Sequence, residues 1–310
     1  MIIEVKELTK SFNKNIVING VNLSVNEGEI FGLLGPNGAG KTTTISILLG
    51  LNKFDSGKIK LFGKDITKEG DSVKKDIGFV PQDIAVFNDL TAYDNVAFFG
   101  KIYGLRGKKL KESIEYALNF TGLWGHRKKY PGKFSGGMKR RLNIACAIVH
   151  KPKIVFMDEP TVGVDPQSRN NILESIKKLN KMGSTIIYTS HYMEEVEEIC
   201  NRIAITDAGT VIAEGTSKEL KDMASLEDLV VIETEDIDDS LQKIIKDING
   251  VTECIIDKKE IIVKSKKNSN NLTCIMDELI KNEANIVSVN VKKPTLEDAF
   301  LTLTGKKLRD

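Results

Sequence analysis

Gly35-Pro36-Asn37-Gly38-Ala39-Gly40-Lys41-Thr42 stands between an apolar run, Glu29-Ile30-Phe31-Gly32-Leu33-Leu34, and a helical stretch from Thr43 to Leu49. The octapeptide fits GxxxxGK[ST]. A strand before it and a helix after it are the context in which that pattern is a phosphate-binding loop. Glycine lets successive backbone N–H groups turn inward without a Cβ clash, so Gly35, Gly38 and Gly40, with Pro36, Asn37 and Ala39 between them, can form an anion cradle. The helix that opens at the end of the loop adds partial positive charge on the same side. Lys41 brings a full charge to the β- and γ-phosphates. The Thr42 hydroxyl is placed to ligate Mg²⁺, and Thr43 continues the first turn.

Working outward, the runs Lys153-Ile154-Val155-Phe156-Met157 and Ser184-Thr185-Ile186-Ile187-Tyr188-Thr189 are as apolar as the one before the loop, and each precedes a helical pattern. Such runs predict a parallel sheet with helices on both faces. Ile2 to Glu7, Val21 to Val25 and Lys58 to Phe62 alternate and read as exposed strands of an antiparallel layer. Strand signals stop over about 83–150. There, Leu110, Ile114, Ala117 and Leu118 recur at helical spacing and predict a helical insertion. A hairpin is expected around Asp207-Ala208-Gly209-Thr210, then a short helix and linker near 216–226. Beyond it a strand–helix–strand period occurs twice, a βαββαβ order that suggests a ferredoxin-like domain. A last helix opens at Thr295, with Asp298 three residues on as in a capping box. The domains are therefore read as 1–222 and 226–310.

Composition narrows the class. A chain of 310 residues suits about two domains. It is 41% hydrophobic and 28% charged, enough for a core and unlike a disordered chain. A net charge of +2 argues against a dedicated nucleic-acid coat protein. There is no uninterrupted apolar run of the ~18 residues that a spanning helix needs, and Met1 to Lys6 lacks the layout of a signal peptide. A soluble intracellular protein is expected. Cys146, Cys200, Cys254 and Cys274 show no metal-ligand spacing and read as small buried or half-buried hydrophobes.

The chemistry gathers at strand ends. Ile154 to Met157 leads into Asp158-Glu159, two carboxylates at the edge where ligands of parallel sheets bind. Asp158 would enter the Mg²⁺ shell, while Glu159 points the other way and could accept a proton from an attacking water. His191 emerges from the strand ending at Thr189, at the same edge, in reach of a γ-phosphate; Ser190 is read as the cap of the helix that follows. Gln82 follows Phe79-Val80-Pro81 where the insertion begins, and its amide could reach the metal or the attacking water. Phe134-Ser135-Gly136-Gly137-Met138 forms a second anion-receptive helix start with no partner site in its own domain. The chain reads as holding one and a half nucleotide sites, and a symmetric partner could supply the other half.

Loop, Gln82, Ser135-Gly136-Gly137, Asp158-Glu159, Asp165 and His191 stand in the order of the ATP-binding cassette family of transport ATPases, which the chain resembles over its whole length. The signature reads FSGGM where LSGGQ is usual. With the following Lys139-Arg140-Arg141-Leu142 and the tail Pro294-Thr295-Leu296-Glu297-Asp298-Ala299-Phe300 it is similar to the ABC-2 type exporters, which include drug-, antibiotic-resistance and sodium exporters.

The resemblance implies an α/β P-loop NTPase of the nucleotide-binding type, with a mixed sheet and a helical insertion, followed by a small α+β ferredoxin-like domain. It implies ATP and Mg²⁺ as ligands, with Glu159, His191 and Gln82 catalytic and Thr42, Gln82 and Asp158 around the metal. A head-to-tail dimer with a second copy or a paralogous subunit would close Ser135, Gly136 and Gly137 on ATP held by the other loop. Asp165 would line the seam, and Asp165-Pro166 also suits the N-cap and first position of a helix. Phe12 matches the aromatic that stacks on adenine, or else is a core aromatic. The partners would be ABC-2 type membrane permease subunits, docked near Phe87 to Phe99. The chain would then lie in the cytoplasm, peripheral on the inner face of the cell membrane, with no nucleic acid bound. Residues 101–141 carry 12 Lys or Arg against 2 acidic residues, a face for an anionic leaflet or for solvent. The rivals are a soluble cassette ATPase acting on ribosomes or DNA and a small-molecule kinase. The first usually carries two cassettes or long coiled coils, and the second would leave the signature and His191 unexplained.

Overall fold

The computed structural model describes residues 1–224, 227–235, 240–267, 269–292 and 294–305. The described residues divide into two compact units, the first from Met1 to Ser217 and the second over 218–305.

In the first unit, β1 (Ile3–Phe12), β2 (Asn15–Val25), β3 (Ile30–Leu34), α1 (Lys41–Leu48), β4 (Ser56–Leu61), β5 (Lys64–Asp65), α2 (Ile66–Lys74) and β6 (Ile77–Val80) come first. Three helices follow, α3 (Ala92–Ile102), α4 (Gly107–Phe120) and α5 (Gly136–Ile148). The rest is β7 (Ile154–Asp158), α6 (Pro166–Lys181), β8 (Thr185–Ser190), α7 (Met193–Ile199), β9 (Arg202–Asp207) and β10 (Thr210–Gly215). The helix α8 (Ser217–Ala224) begins where the two units divide.

Every residue of β3, β7 and β8 is buried. They lie inside a six-stranded sheet of order β10-β9-β3-β8-β7-β6, parallel except for the β9–β10 hairpin. The hairpin turns at Ala208 and Gly209, both at positive φ, as a two-residue turn between twisted strands requires. A second sheet of order β2-β1-β4-β5 is antiparallel. Its strands are half-buried rather than exposed: Ile3, Val5, Leu23, Ile59 and Leu61 point inward. They share one core with Ile45, Ile47 and Leu48 of α1 and with Phe31, Phe156 and Ile187 of the parallel sheet. Each such side chain contributes about 1.5–3 kcal/mol on burial. This packing holds the start of α1 at the carboxyl edge of the parallel strands, where ligands of such sheets bind.

The insertion is helical, as the spacing predicts. Thr91 caps α3 by accepting from the Asp94 N–H, and Ser135 caps α5 by accepting from the Met138 N–H. The second unit contains β11 (Glu227–Thr234), α9 (Ser240–Lys246), β12 (Val251–Asp257), β13 (Glu260–Lys266), α10 (Leu272–Lys281), β14 (Ile286–Lys292) and α11 (Leu296–Thr304). The sheet order is β12-β13-β11-β14, antiparallel throughout, around a core of Val230, Ile232, Ile261, Val263, Ile275 and Leu279. Thr295 and Asp298 form the expected capping box. The four cysteines are free. Cys274 departs from expectation: it is exposed, because α10 turns Ile275 and Leu279 inward and leaves Cys274 on the opposite face.

His150, past the end of α5, stacks flat on Tyr103 with ring centroids 3.5 Å apart. Its Nε2 is 3.0 Å from the Ile77 carbonyl, and its Nδ1 is buried without a hydrogen-bond partner. Burial pushes its pKa down from 6.5 to about 4, against the weaker pull of the Ile77 carbonyl and Asp76. The native state therefore holds His150 neutral while the unfolded chain takes up a proton below 6.5. Stability falls as pH drops through that window. Urea unfolding at pH 7 and pH 5 is expected to show a larger loss for the native sequence than for His150→Gln, by on the order of 1–2 kcal/mol. Equal losses would remove His150 as the cause.

Candidate functional site

The loop after β3 turns through Gly38 and Gly40 at φ 83° and 94°. A Cβ at Gly40 would also lie 2.9 Å from the Val17 carbonyl of β2, so both torsion and packing require glycine. As the N-cap of α1, Gly40 places no side chain on the leading amides. Such a helix start accepts an anion. The cleft there measures about 210 Å³ and is lined by Val17, residues 37–43, Gln82 and Glu159.

Lys41 is only 5% exposed. Its Nζ donates to the carbonyls of Gly35 at 2.7 Å and Pro36 at 3.1 Å, and stands 3.4 Å from Glu159 Oε1. Burial lowers its pKa, while Glu159 and Asp158 pull the other way.

β7 ends in the buried Asp158, paired in register with Thr189 of β8. Thr189 Oγ1 donates to Asp158 Oδ1 at 2.6 Å and accepts the Glu159 N–H at 2.9 Å. Glu159 takes a left-handed φ of 45°, a conformation costly for a non-glycine residue and concentrated at functional sites. The turn gives the two adjacent carboxylates different partners. Glu159 Oε2 accepts from Gln82 Nε2 at 3.2 Å and lies 3.3 Å from His191 Nδ1. One carboxylate thus gathers Lys41, Gln82 and His191.

Thr42 is exposed and Thr43 half-buried in the first turn of α1. Among the described residues, no group of three His, Cys, Asp or Glu side chains forms a metal cage. The oxygens of Asp158, Thr42 and Gln82 are hard donors that fit a Mg²⁺ shared with phosphate, the usual arrangement for that ion.

Ser135, Gly136 and Gly137 gather elsewhere, with Asp165. A Cβ on Gly137 would meet Ser168 Oγ at 2.1 Å and Asp165 Oδ2 at 3.7 Å. Asp165 caps α6 by accepting the Ser168 N–H at 2.9 Å, with Pro166 in the first turn. Phe12 is 43% exposed with Lys10 Nζ 4.9 Å from its ring centre, outside the cleft lining. Ser190 is not a cap. Its hydroxyl accepts the Tyr192 N–H, and Tyr192 is the N-cap of α7.

Two residues escape a sequence reading. Val17 lines the cleft from another sheet, which no local motif announces. Arg140 counts as surface charge by composition, yet it is 3% exposed and donates to the carbonyls of Pro81 at 2.8 Å and Gln82 at 2.6 Å. It ties α5 to the segment that carries Gln82.

A glycine loop on a helix start, a buried lysine and a carboxylate pair on a parallel strand two places along the same sheet define a phosphate-loop nucleotide-binding protein. The family model for ABC transporter matches residues 18–162. Linearmycin resistance ATP-binding protein LnrL of Bacillus subtilis (strain 168) is 43% identical, over 99% of this chain and 100% of that protein. Nod factor export ATP-binding protein I of Cupriavidus pinatubonensis is 33% identical over 100% and 92%. The solved structure of cbiO1 from Clostridium perfringens, part of the ABC transporter complex cbiONQ, is 30% identical. It superposes with a TM-score of 0.66 over 71% of this chain and 90% of its own. The chain belongs to the ABC transporter family and is one of its ATP-binding, ATP-hydrolysing subunits.

Thr189→Val keeps the shape of the side chain and removes the hydroxyl shared by Asp158 and Glu159. Leaving a buried carboxylate oxygen short of a donor is expected to lower stability by about 1–3 kcal/mol in chemical denaturation, with Thr189→Ser close to the native value. A Val variant as stable as the native protein would show that this hydroxyl bridge carries no weight.

Proposed function

We propose that this chain powers export through membrane-spanning subunits carried on separate chains. The observation that carries the reading is the convergence of Lys41, Gln82 and His191 on Glu159 at the mouth of the phosphate loop. The names of its relatives, which refer to linearmycin resistance and Nod factor export, support the direction.

In this reading the amides of residues 35–43 cradle the phosphates of ATP, and Lys41 turns from Gly35 and Pro36 to the β- and γ-phosphates. Phe12 stacks on adenine. Asp158, Thr42 and Gln82 would hold Mg²⁺, which supplies positive charge to the phosphate oxygens. Glu159 orients the attacking water and takes its proton, and His191 contacts the γ-phosphate. Gln82, tied by Arg140 to α5, reports the state of the site to the insertion.

Ser135, Gly136 and Gly137 serve the nucleotide of a second copy or a paralogous subunit, with Asp165 at the seam. ATP binding closes that head-to-tail dimer and hydrolysis reopens it. Phe87 and Phe98 are 47% and 41% exposed and pack edge-on with centroids 5.0 Å apart. They offer the membrane permease a docking patch within the 87–99 stretch. Residues 1–222 form the nucleotide-binding domain, and 226–310 a ferredoxin-like accessory domain. No helix among the described residues is long and apolar enough to cross a membrane. The chain is placed on the cytoplasmic face through its partners.

Glu159→Gln should bind ATP as the native chain does and turn over about 10²–10⁴ times more slowly, the usual size of a general-base contribution. Unchanged turnover would remove Glu159 from that role. The same variant, purified in Mg-ATP from detergent-solubilised native membranes, should bring with it a multi-span membrane protein near equal stoichiometry by mass spectrometry. Ribosomal proteins or DNA without a membrane partner would instead favour a soluble cassette ATPase.

A further inference from the structure

Behind the His191 turn lies a carboxylate that the reaction described above does not use. Glu195, in α7, is 3% exposed. Its Oε2 accepts from Thr161 Oγ1 at 2.7 Å, from the Tyr188 hydroxyl at 2.7 Å and from Ser190 Oγ at 3.2 Å. Its Oε1 lies 3.1 Å from Arg169 Nε, an ion pair whose two atoms make no hydrogen bond.

Each partner belongs to a segment that carries a site residue. Thr161 follows Glu159 by two positions, Ser190 directly precedes His191, and Arg169 lies in the first turns of the helix that Asp165 caps. The connections close on themselves. Arg169 sits over the Tyr192 ring at 5.0 Å, Tyr192 packs 4.1 Å from the His191 ring, and Ser190 Oγ accepts the Tyr192 N–H at 2.9 Å.

A carboxylate taken this far from water costs several kcal/mol unless its partners are complete, and an apolar side chain would fill the same space without that cost. What the carboxylate adds is fixed geometry, since an ion pair with three hydroxyl donors tolerates one arrangement. Burial first, and the charge of Glu195 second, raise the pKa of Tyr188 well above its ordinary value, so its hydroxyl remains a donor.

We propose that Glu195 is a positioning residue for ATP hydrolysis. Its carboxylate locks the His191 turn and the start of α6 to the segment following Glu159, and so fixes the imidazole relative to the Glu159 carboxylate. The inference rests on the reading that Glu159 and His191 serve hydrolysis. It goes beyond that reading in assigning the placement of His191 to a buried ion pair.

The test is steady-state hydrolysis by the full-length chain, with turnover expressed per titrated ATP-binding site so that unfolded protein does not count. Glu195→Gln is expected to lower kcat about tenfold or more with KM for ATP within about twofold, the pattern of a misplaced catalytic group. Arg169→Gln should show the same split, and Arg169→Lys, which restores the charge, should recover most of the loss. Should Glu195→Gln not fold, Tyr188→Phe decides, with a drop of about threefold in kcat per site expected. Turnover per site within twofold of native in Glu195→Gln, or no drop in Tyr188→Phe where that variant decides, overturns the inference. Glu159→Gln in the same assay separates the two ideas. If it turns over normally, the hydrolysis reading fails and the inference goes with it. If it is slow while Glu195→Gln is fast, only the positioning role fails.

Discussion

Lys41 carries an ammonium into a place that water barely reaches, and a charge held there needs partners close by. Two come from its own loop, the carbonyls of Gly35 and Pro36; the third, Glu159, comes from the far side of β8 in the sheet order. That third contact is possible only because the parallel strands β3, β8 and β7 lie side by side and end at one edge. It also needs the left-handed turn at Glu159, which carries the carboxylate over the loop. Gln82 and His191 then complete the same carboxylate. The burial of one lysine therefore ties together the sheet order, a strained backbone and the meeting of four distant segments.

Much of this was legible in residue order because the chemistry is local. A phosphate cradle needs glycines, a lysine and a helix start in immediate succession, and a fully buried parallel strand needs an unbroken apolar run. Both conditions leave a contiguous mark, as at 29–43 and 153–159. The capping box at Thr295 and the Ala208-Gly209 hairpin were readable for the same reason. Contacts across sheets or between helices leave no such mark. Val17 reaches the cleft because β2 passes over Gly40, and nothing in the residues around Val17 says so. Ser190 has the type and place of a helix cap, but β8 runs through it and α7 opens only at Met193, so Tyr192 takes the N-cap position.

Charge patterning misled in an instructive way. Composition treats Arg140 as one more member of a basic surface, yet its guanidinium is buried and spends its donors on the carbonyls of Pro81 and Gln82. Burial and Asp83 act in opposite directions on its pKa, burial prevailing, which fits a charge held largely by main-chain carbonyls. Glu195 is the acidic counterpart. In sequence it is one of several glutamates in an amphipathic helix, and only the fold turns it away from solvent toward Thr161, Tyr188, Ser190 and Arg169. Each leaves one buried atom, Arg140 Nε and Glu195 Oε1, without a hydrogen bond, and so marks a place where the fold gives up cheaper apolar packing for a fixed geometry. Arg140 touches Gln82 directly, and Glu195 touches Ser190, the residue next to His191.

The insertion shows the same economy at its outer surface. Asn95 is buried, and its amide accepts the Phe87 N–H and donates to the carbonyls of Phe87, Leu90 and Thr91. These bonds hold the turn 87–91 in one conformation and keep Phe87 in its edge-on stack with Phe98, although both rings remain substantially exposed. An aromatic already fixed in place loses little entropy when a partner covers it, and rigid aromatic anchors dominate the energetics of protein interfaces. The same helical layer reaches Gln82 through Arg140. A displacement of the patch that shifted α5 would thus act on the amide that touches Glu159 without any loop having to order first. In the proposed exporter, the membrane subunit and the catalytic carboxylate would be joined by packed helices and one buried guanidinium, a connection stiff enough to carry a small movement in either direction.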